Sequence, residues 1–217
     1  MAGMKKIILA SNSPRRKTLF GLFGWPFEVL PAEIDESQYP GEDPANFVKR
    51  LACEKAQKVA ERNNGLIIGA DTIVVDGSEI LGKPGCDGEA MKMLKKLRGR
   101  THQVYTGIAV IDSSLDKAFN AVSQTDVTMR SYSDDEIQAY IATGDPLDKA
   151  GAYAIQHEGF HPVAALEGCF ASVMGLPLCL LSRGLQEFDL YPPEDLYERC
   201  EQALNFSCPI LAKMGKG

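Results

Sequence analysis

Gly65-Leu66-Ile67-Ile68-Gly69-Ala70-Asp71-Thr72-Ile73-Val74-Val75 is an apolar run with a single charged residue, Asp71, in its middle. Such a run is typical of a strand that is buried inside a sheet. An ionised carboxylate there is costly unless it is paired, bound to a metal or placed at the open end of the strand. Gly69 and Ala70 leave room beside it for a ligand. The run predicts a central strand with a functional acid; the alternative is an Asp that ends the strand and caps the next turn.

Strand-like and helix-like segments alternate on both sides of this run. The alternation predicts an α/β fold, with a mixed, twisted sheet flanked by helices and an elongated shape of two lobes around a central cleft. We expect residues 1–190 to form a single domain, and residues 191–217 to be a tail with a short helix and a frayed end. The predicted strands are 6–10, 27–30, 65–75, 103–111 and 119–129, and the predicted helices are 14–22, 44–62, one capped by Asp87 and ended by Gly99, 133–141, and a broken helix over 170–185.

Composition and charge exclude several classes of protein. Hydrophobic residues make up 45% of the chain and charged residues 24%, which is ordinary for a folded soluble protein and argues against disorder. The net charge of −6 disfavours general binding to nucleic acid or to a membrane surface, so a phosphate ligand needs a local basic site. The six cysteines form no C-x-x-C pair, and no apolar run approaches the roughly 20 residues of a membrane span. We expect a cytoplasmic protein with reduced thiols.

Ser11-Asn12-Ser13-Pro14-Arg15-Arg16 is a candidate phosphate site. A helix N-terminus offers unpaired N–H groups and a partial positive charge. Ser11 and Ser13 add hydroxyl donors, and the two arginines add forked donors that match phosphate oxygens. The equally weighted alternative is a serine N-cap followed by proline and two exposed arginines.

Acidic residues and lysines elsewhere in the chain supply further candidates. Glu33, Asp35 and Glu36 follow the second strand, where carboxylates would suit Mg²⁺, although a solvated acidic loop is the simpler interpretation. Lys55 lies on the apolar stripe of the helix that starts at Pro44, so it either extends outwards to solvent or points into a cleft.

Two later segments give weaker signals. The segment from Gly77 to Pro84 nearly matches a P-loop, but Pro84 replaces the hydroxyl residue that would bind Mg²⁺, so we reject a P-loop while keeping Lys83 as a phosphate candidate. The segment from Thr143 to Gln156 combines turns with small residues, and the Gln156 amide is able to recognise a base edge. No G-x-S-x-G or other nucleophile motif is present, which favours water as the nucleophile.

The ordered set of motifs resembles the Maf family of nucleoside triphosphate pyrophosphatases. The resemblance covers roughly residues 5 to 185. Its matching stretches are Leu9-Ala10-Ser11-Asn12-Ser13-Pro14-Arg15-Arg16, Glu33-Ile34-Asp35-Glu36, Glu54-Lys55-Ala56, Gly69-Ala70-Asp71-Thr72, Gly82-Lys83-Pro84, Asp148-Lys149-Ala150-Gly151-Ala152-Tyr153-Ala154-Ile155-Gln156 and Gly175-Leu176-Pro177.

The resemblance implies hydrolysis of a nucleoside triphosphate to the monophosphate and pyrophosphate, in a protein that is a homodimer. It favours the dTTP/UTP branch over the 7-methyl-GTP branch, and Ala154 and the segment Cys169 to Ser172 depart from the usual family pattern. A non-catalytic nucleotide-binding regulator of cell division remains the alternative from another class.

The resemblance and the residues together give a predicted site. A divalent cation, Mg²⁺ or Mn²⁺, is expected between Asp71 and Glu36, with Glu33 as a third ligand, and Asp71 acts as base or metal ligand on the attacking water. The predicted catalytic residues are Asp71, Glu36, Lys55 and Lys83, and the predicted substrate-binding residues are Ser11, Ser13, Arg15, Arg16, Thr72 and Gln156.

Overall fold

The computed structural model describes residues 5–115 and 117–209. The strands of these residues form one sheet in the order β2-β1-β3-β5-β6-β7, with β4 paired to β3. The strands are β1 Ile7–Leu9, β2 Glu28–Val29, β3 Leu66–Asp76, β4 Glu79–Leu81, β5 Thr101–Asp112, β6 Lys117–Met129 and β7 Val163–Glu167. β1 runs parallel to β2 and β3, and the other pairs are antiparallel, so the predicted mixed sheet is confirmed.

Helices cover the sheet, as the alternating pattern predicted. They are α1 Pro14–Gly21, α2 Pro44–Ala60, α3 Asp87–Leu97, α4 Asp134–Ile141, α5 Phe170–Val173, α6 Leu178–Gln186 and α7 Leu196–Leu204, with short 3-10 helices at Asp145–Asp148 and Ala150–Ala152. The stretch predicted as a broken helix contains α5 and α6, separated by the turn around Gly175. No helix in the described part of the chain is long and apolar enough to cross a bilayer.

β3 is central, and its two faces are both buried. Leu66, Ile68 and Ala70 pack in one apolar cluster, and Val74 packs in a second cluster farther along the same face. The opposite face is likewise covered by two clusters, which contain Ile67 and Ile73. Asp71 and Thr72 stand where these clusters meet, so the polar residues of the strand lie at the junction of the apolar cores.

α2 lies directly on β3 and β5. Asp43 caps the helix by accepting hydrogen bonds from the N–H groups of residues 45 and 46, and Pro44 occupies its first turn. The helix approaches the sheet very closely: a Cβ on Gly69 would lie 2.1 Å from the Ala52 carbonyl oxygen, and one on Gly107 would lie 2.3 Å from that of Val48. The absence of side chains at these two glycines therefore lets α2 bring Lys55 down to the strand.

Two features of the secondary structure differ from the sequence-based expectations. Cys86, not Asp87, is the residue that precedes α3, and it makes no side-chain cap; Asp87 is instead the first helical residue, where its charge suits the helix dipole. β7 was not predicted, because its five residues include two adjacent alanines and show no clear alternation.

The tail contributes to the core. Leu196, at the start of α7, is fully buried in the same cluster as Leu185 and Phe188. This helix lies within the stretch predicted as a tail, whereas the frayed end expected for the last residues lies outside the described part of the chain.

Candidate active site

The N-terminus of α1 carries the predicted serine cap. The Ser13 hydroxyl accepts from the Arg16 N–H at 3.5 Å, and the Ser11 hydroxyl accepts from the Ser13 N–H at 3.3 Å. Arg15 and Arg16 are both partly buried, so the alternative with two exposed arginines does not hold. The serine cap does not exclude an anion site, because both arginines lie in the first turn of α1, next to its N-terminus.

Arg16 is fixed by four acceptors. Its Nε donates to the Gly175 carbonyl at 2.9 Å, and its NH1 group donates to the Ala70 carbonyl at 2.9 Å and to the Ser11 hydroxyl at 3.3 Å. Its NH2 group donates to the Thr72 hydroxyl at 3.1 Å. Burial lowers the pKa of Arg16, and the Asp71 carboxylate opposes this effect. With one of its five N–H groups left over, Arg16 chiefly ties α1 to β3 and to the Gly175 turn.

Lys55 lies between two carboxylates. Its ammonium is 2.6 Å from Asp71 Oδ1 and 2.6 Å from Glu36 Oε1. The side chains of Lys55 and Asp71 are each 10% exposed, whereas that of Glu36 is 55% exposed. The lysine therefore points into the cleft, and the buried Asp71 is paired, as its cost in an apolar strand requires.

Glu36 is biased towards its ionised form. Burial raises the pKa of Glu36, but the hydrogen bond and charge of Lys55, together with the charges of Lys83 and Arg16, outweigh burial and leave the pKa below its usual value. A negative charge at Glu36 therefore persists over the neutral pH range, next to the buried carboxylate of Asp71.

A cleft of about 770 Å³ joins these groups. It lies between α2, the ends of β1 and β4, and the segment that follows the 3-10 helices. The predicted residues that line it are Ser11, Ser13, Arg15, Arg16, Glu36, Lys55, Asp71, Thr72, Lys83 and Gln156. Glu33 is exposed and does not line the cleft, so the structure does not bring it together with Asp71 and Glu36.

The two remaining acids suit a hard cation. Mg²⁺ commonly takes one or two carboxylates and completes its shell with water and substrate phosphates. Asp71 and Glu36 already converge on one positive charge, the Lys55 ammonium. Within residues 5–115 and 117–209, no three His, Cys, Asp or Glu side chains form a preformed metal cage. The donor set therefore fits a cation that completes its coordination shell with water or with oxygen atoms of a ligand.

Comparison with known proteins gives the family. The sequence model described as Maf-like protein matches residues 6–188. The chain belongs to the Maf-like family. A Bacillus cereus protein named dTTP/UTP pyrophosphatase is 47% identical over 188 residues, which cover 86% of this chain and 92% of that protein. A Bacillus anthracis protein of the same name is 46% identical, with 86% of this chain and 97% of that protein covered.

Solved structures with a partly similar backbone are more distant from this Maf-like chain in sequence. A HAM1 protein from Coxiella burnetii is 16% identical with a TM-score of 0.44, covering 59% of this chain and 75% of that one. A nucleoside-triphosphatase / dITP/XTP pyrophosphatase from Mycobacterium abscessus is 13% identical with a TM-score of 0.42, covering 87% of this chain and 100% of that one.

Thr106 lies behind the cleft residue Thr72, and the motifs did not reveal it. This fully buried side chain donates to the Ser172 carbonyl at 2.8 Å and lies 3.0 Å from the Thr72 hydroxyl. Because a carbonyl only accepts, the single Thr106 proton is committed to it, and Thr72 must donate to Thr106. Thr72 already accepts from Arg16. The Thr72 hydroxyl can therefore offer only a lone pair to a ligand in the cleft.

Lys149 and Asp148 are further cleft residues that carry charge. The Lys149 ammonium donates to Asp148 Oδ1 at 2.6 Å and to Asp145 Oδ1 at 2.9 Å. The other oxygen of Asp148 is 3.7 Å from Arg15 NH1, across the cleft. The sequence of this segment indicates only turns and small residues. The fold shows in addition that Asp148 pairs with Arg15, on the α1 side of the cleft.

Proposed function

We propose that this chain hydrolyses nucleoside triphosphates, with dTTP and UTP as its substrates, to the monophosphate and pyrophosphate. The observation that carries the proposal is the meeting of Asp71, Glu36 and Lys55 in a cleft whose other walls hold Arg15 and Lys83. The dTTP/UTP pyrophosphatases to which the chain is 46–47% identical support the choice of substrates.

In the proposed reaction, a water molecule attacks the α-phosphorus. The new P–O bond forms as the bond from the α-phosphorus to the α–β bridging oxygen breaks, and the electron pair leaves with pyrophosphate. Asp71 orients the water and accepts its proton, and Lys55 holds the two neighbouring carboxylates in place. A divalent cation, Mg²⁺ or Mn²⁺, held by Asp71 and Glu36 would supply charge neutralisation at the phosphates and a more acidic water.

The rest of the cleft supports binding of the substrate. Arg15, Lys83, Ser11 and Ser13 are proposed to hold the phosphates, together with the N-terminus of α1, because charge that develops on the leaving pyrophosphate is stabilised by fixed donors. The Gln156 amide is proposed to recognise the base. Tyr140 holds the segment that leads to Gln156. The Tyr140 hydroxyl accepts from the Ala154 N–H at 2.9 Å and donates to Asp145 at 2.6 Å.

Cellular context is part of the same proposal. We propose that the chain acts in the cytoplasm on free nucleotides and that it does so as a homodimer. Analytical ultracentrifugation of the full chain checks the oligomeric state, and a monomer at micromolar concentration would contradict it.

One assay tests the function. The purified chain is incubated with a panel of ordinary and modified triphosphates plus Mg²⁺ or Mn²⁺, and direct pyrophosphate and orthophosphate products are measured separately. We expect pyrophosphate, fastest from dTTP and UTP, and a loss of at least about a hundredfold in kcat for Asp71→Asn, because general-base catalysis contributes that much. Orthophosphate as the direct product would contradict the proposal. Tight binding without turnover would favour the nucleotide-binding regulator, and preference for 7-methyl-GTP would favour the other branch.

A further inference from the structure

The loop from residue 31 to residue 43 contains neither helix nor strand, yet it carries Glu36. Glu36 is half-exposed, and its placement beside Lys55 and Asp71 depends on the path of this loop. Contacts inside the loop are local: Ser37 N–H donates to Asp35 at 2.9 Å, and Tyr39 N–H donates to Glu42 at 3.1 Å. Such contacts shape the loop but do not attach it to α2.

Ala32 and Ile34, at the start of the loop, pack against apolar clusters that include α2 residues, and Arg50, on α2, attaches the stretch from Ser37 to Glu42. Its Nε and NH2 groups donate to the two carboxylate oxygens of Glu42 at 2.7 and 2.8 Å, a forked geometry that is stronger than a single bond. The same NH2 group donates to the Ser37 carbonyl at 2.9 Å. The guanidinium carbon lies 3.9 Å from the centre of the Tyr39 ring, so cation–π attraction holds a third point of the loop.

All three nitrogens of Arg50 donate hydrogen bonds. The NH1 group donates to both carboxylate oxygens of Glu54, one turn farther along α2, at 3.2 Å each. The Arg50 side chain is 17% exposed and that of Glu42 is 11% exposed, so solvent screens the pair far less than it screens an ordinary surface ion pair. Lysine cannot reproduce this arrangement, because it has no planar fork.

We propose that Arg50 is the positioning residue that holds Glu36 against Lys55 and Asp71. Ser37 directly follows Glu36. Arg50 holds the Ser37–Gln38 peptide unit through its carbonyl, and the Asp35 carboxylate holds the Glu36–Ser37 unit through the Ser37 N–H. Arg50 does not touch the cleft, because the cleft lining does not include it. This inference rests on the proposed function, in which Glu36 serves the cation and the phosphates, and it adds the group that gives Glu36 its position.

Hydrogen exchange of the loop tests the attachment independently of catalysis. In Arg50→Lys we expect faster amide exchange across residues 35–42 with unchanged exchange in the middle of α2. Glu54→Gln is the matched control, because it removes a charge beside Arg50 but leaves the contacts to the loop, and we expect wild-type exchange there. If Arg50→Lys does not fold, Glu42→Gln loosens the same attachment from the loop side. Wild-type exchange in the loop of the tested variant would overturn the proposal.

A double-mutant cycle tests whether Arg50 acts through Glu36. We expect Arg50→Lys to raise the Mn²⁺ concentration for half-maximal velocity about tenfold, which is the scale for groups that orient a metal ligand. The same change should cost almost nothing further in a Glu36→Gln background. Equal losses in both backgrounds would overturn the proposal. If the wild-type chain turns over no triphosphate, the proposed function fails, and the exchange experiment alone decides the role of Arg50.

Discussion

Two adjacent residues of β3 divide the work of the site between the two faces of one strand. Asp71 faces α2 and pairs with Lys55, whereas the Thr72 side chain contacts Arg16 and Thr106. Alternation along a strand makes this division automatic, because neighbouring side chains point to opposite faces. The acid and the hydroxyl group of the site therefore come from neighbouring residues but lie on opposite faces of β3.

Removal of the Thr106 hydroxyl tests the hydroxyl chain. Thr106→Val keeps the shape but leaves the Ser172 carbonyl without its donor and frees the Thr72 proton. We expect kcat/KM to fall about tenfold and the free energy of unfolding to fall by about 1–2 kcal/mol, which is the scale for one buried hydrogen bond. Steady-state kinetics and urea unfolding measure the two effects.

The matched control for this change lies on the same strand. Thr101 also pairs with a threonine, at 2.8 Å from Thr128, but on an exposed part of β5. Thr101→Val is expected to leave kcat/KM unchanged. Equal kinetics for Thr106→Val and Thr101→Val would contradict the role given to Thr106.

Among the elements, the contact between α2 and the sheet sets the depth of Lys55. Gly69→Ala would place a Cβ against the Ala52 carbonyl, where backbone has to move. We expect a loss of about 1–3 kcal/mol in the free energy of unfolding, as for other overpacked sites, and a fall in kcat as Lys55 withdraws from Asp71. Thermal unfolding and steady-state kinetics measure both.

Gly21 provides the comparison, since nothing lies within 4 Å of a Cβ built there. Gly21→Ala is expected to leave activity unchanged and to be neutral or slightly stabilising, because alanine favours a helix. If Gly69→Ala were as harmless as Gly21→Ala, the close approach of α2 would not control the site.

The elements differ in how far sequence alone predicts them. β3 and α2 have long, regular apolar patterns and a clear cap, and both were predicted close to their observed bounds. β7 is an edge strand whose pairing with β6 includes an irregularity near Thr128, and its sequence has no pattern that distinguishes it from a loop. A local apolar pattern specifies an element that buries a whole face, whereas a short edge strand depends on pairing with its neighbouring strand.

The same distinction applies to the candidate site. Residues in local motifs, such as Asp71 and Lys83, could be selected because neighbouring glycines and charges mark them. Thr106 could not, because its role depends on the β3–β5 register, which sets it opposite Thr72. Arg50 was also missed, since an arginine that is followed by Glu54 looks like an ordinary ion pair on a helix surface.

The whole molecule is expected to lose stability in mild acid through His102. Burial lowers the pKa of His102 to about 4 from the usual 6.5, although Asp76 and Asp126 oppose this. Between these values the unfolded chain binds a proton that the folded chain does not, so the free energy of unfolding decreases as pH falls. The expected loss between pH 7 and pH 5 is about 2 kcal/mol.

Urea unfolding at the two pH values measures this contribution. His102→Gln keeps a polar group near the Tyr153 hydroxyl, which lies 2.8 Å from His102 Nε2, but it does not titrate. We expect the variant to show a pH dependence that is smaller by about 2 kcal/mol. The same pH dependence in both proteins would contradict the assignment to His102.

The central claim about the molecule as a whole is that water attacks the α-phosphorus. The two sides of the cleft are proposed to hold the α-phosphorus at Asp71 and the leaving pyrophosphate at Arg15 and Lys83. Hydrolysis of dTTP in water enriched in oxygen-18, followed by mass spectrometry of both products, tests it most directly. The account predicts one labelled oxygen in the monophosphate and none in the pyrophosphate. Label in the pyrophosphate, or release of labelled orthophosphate, would contradict it.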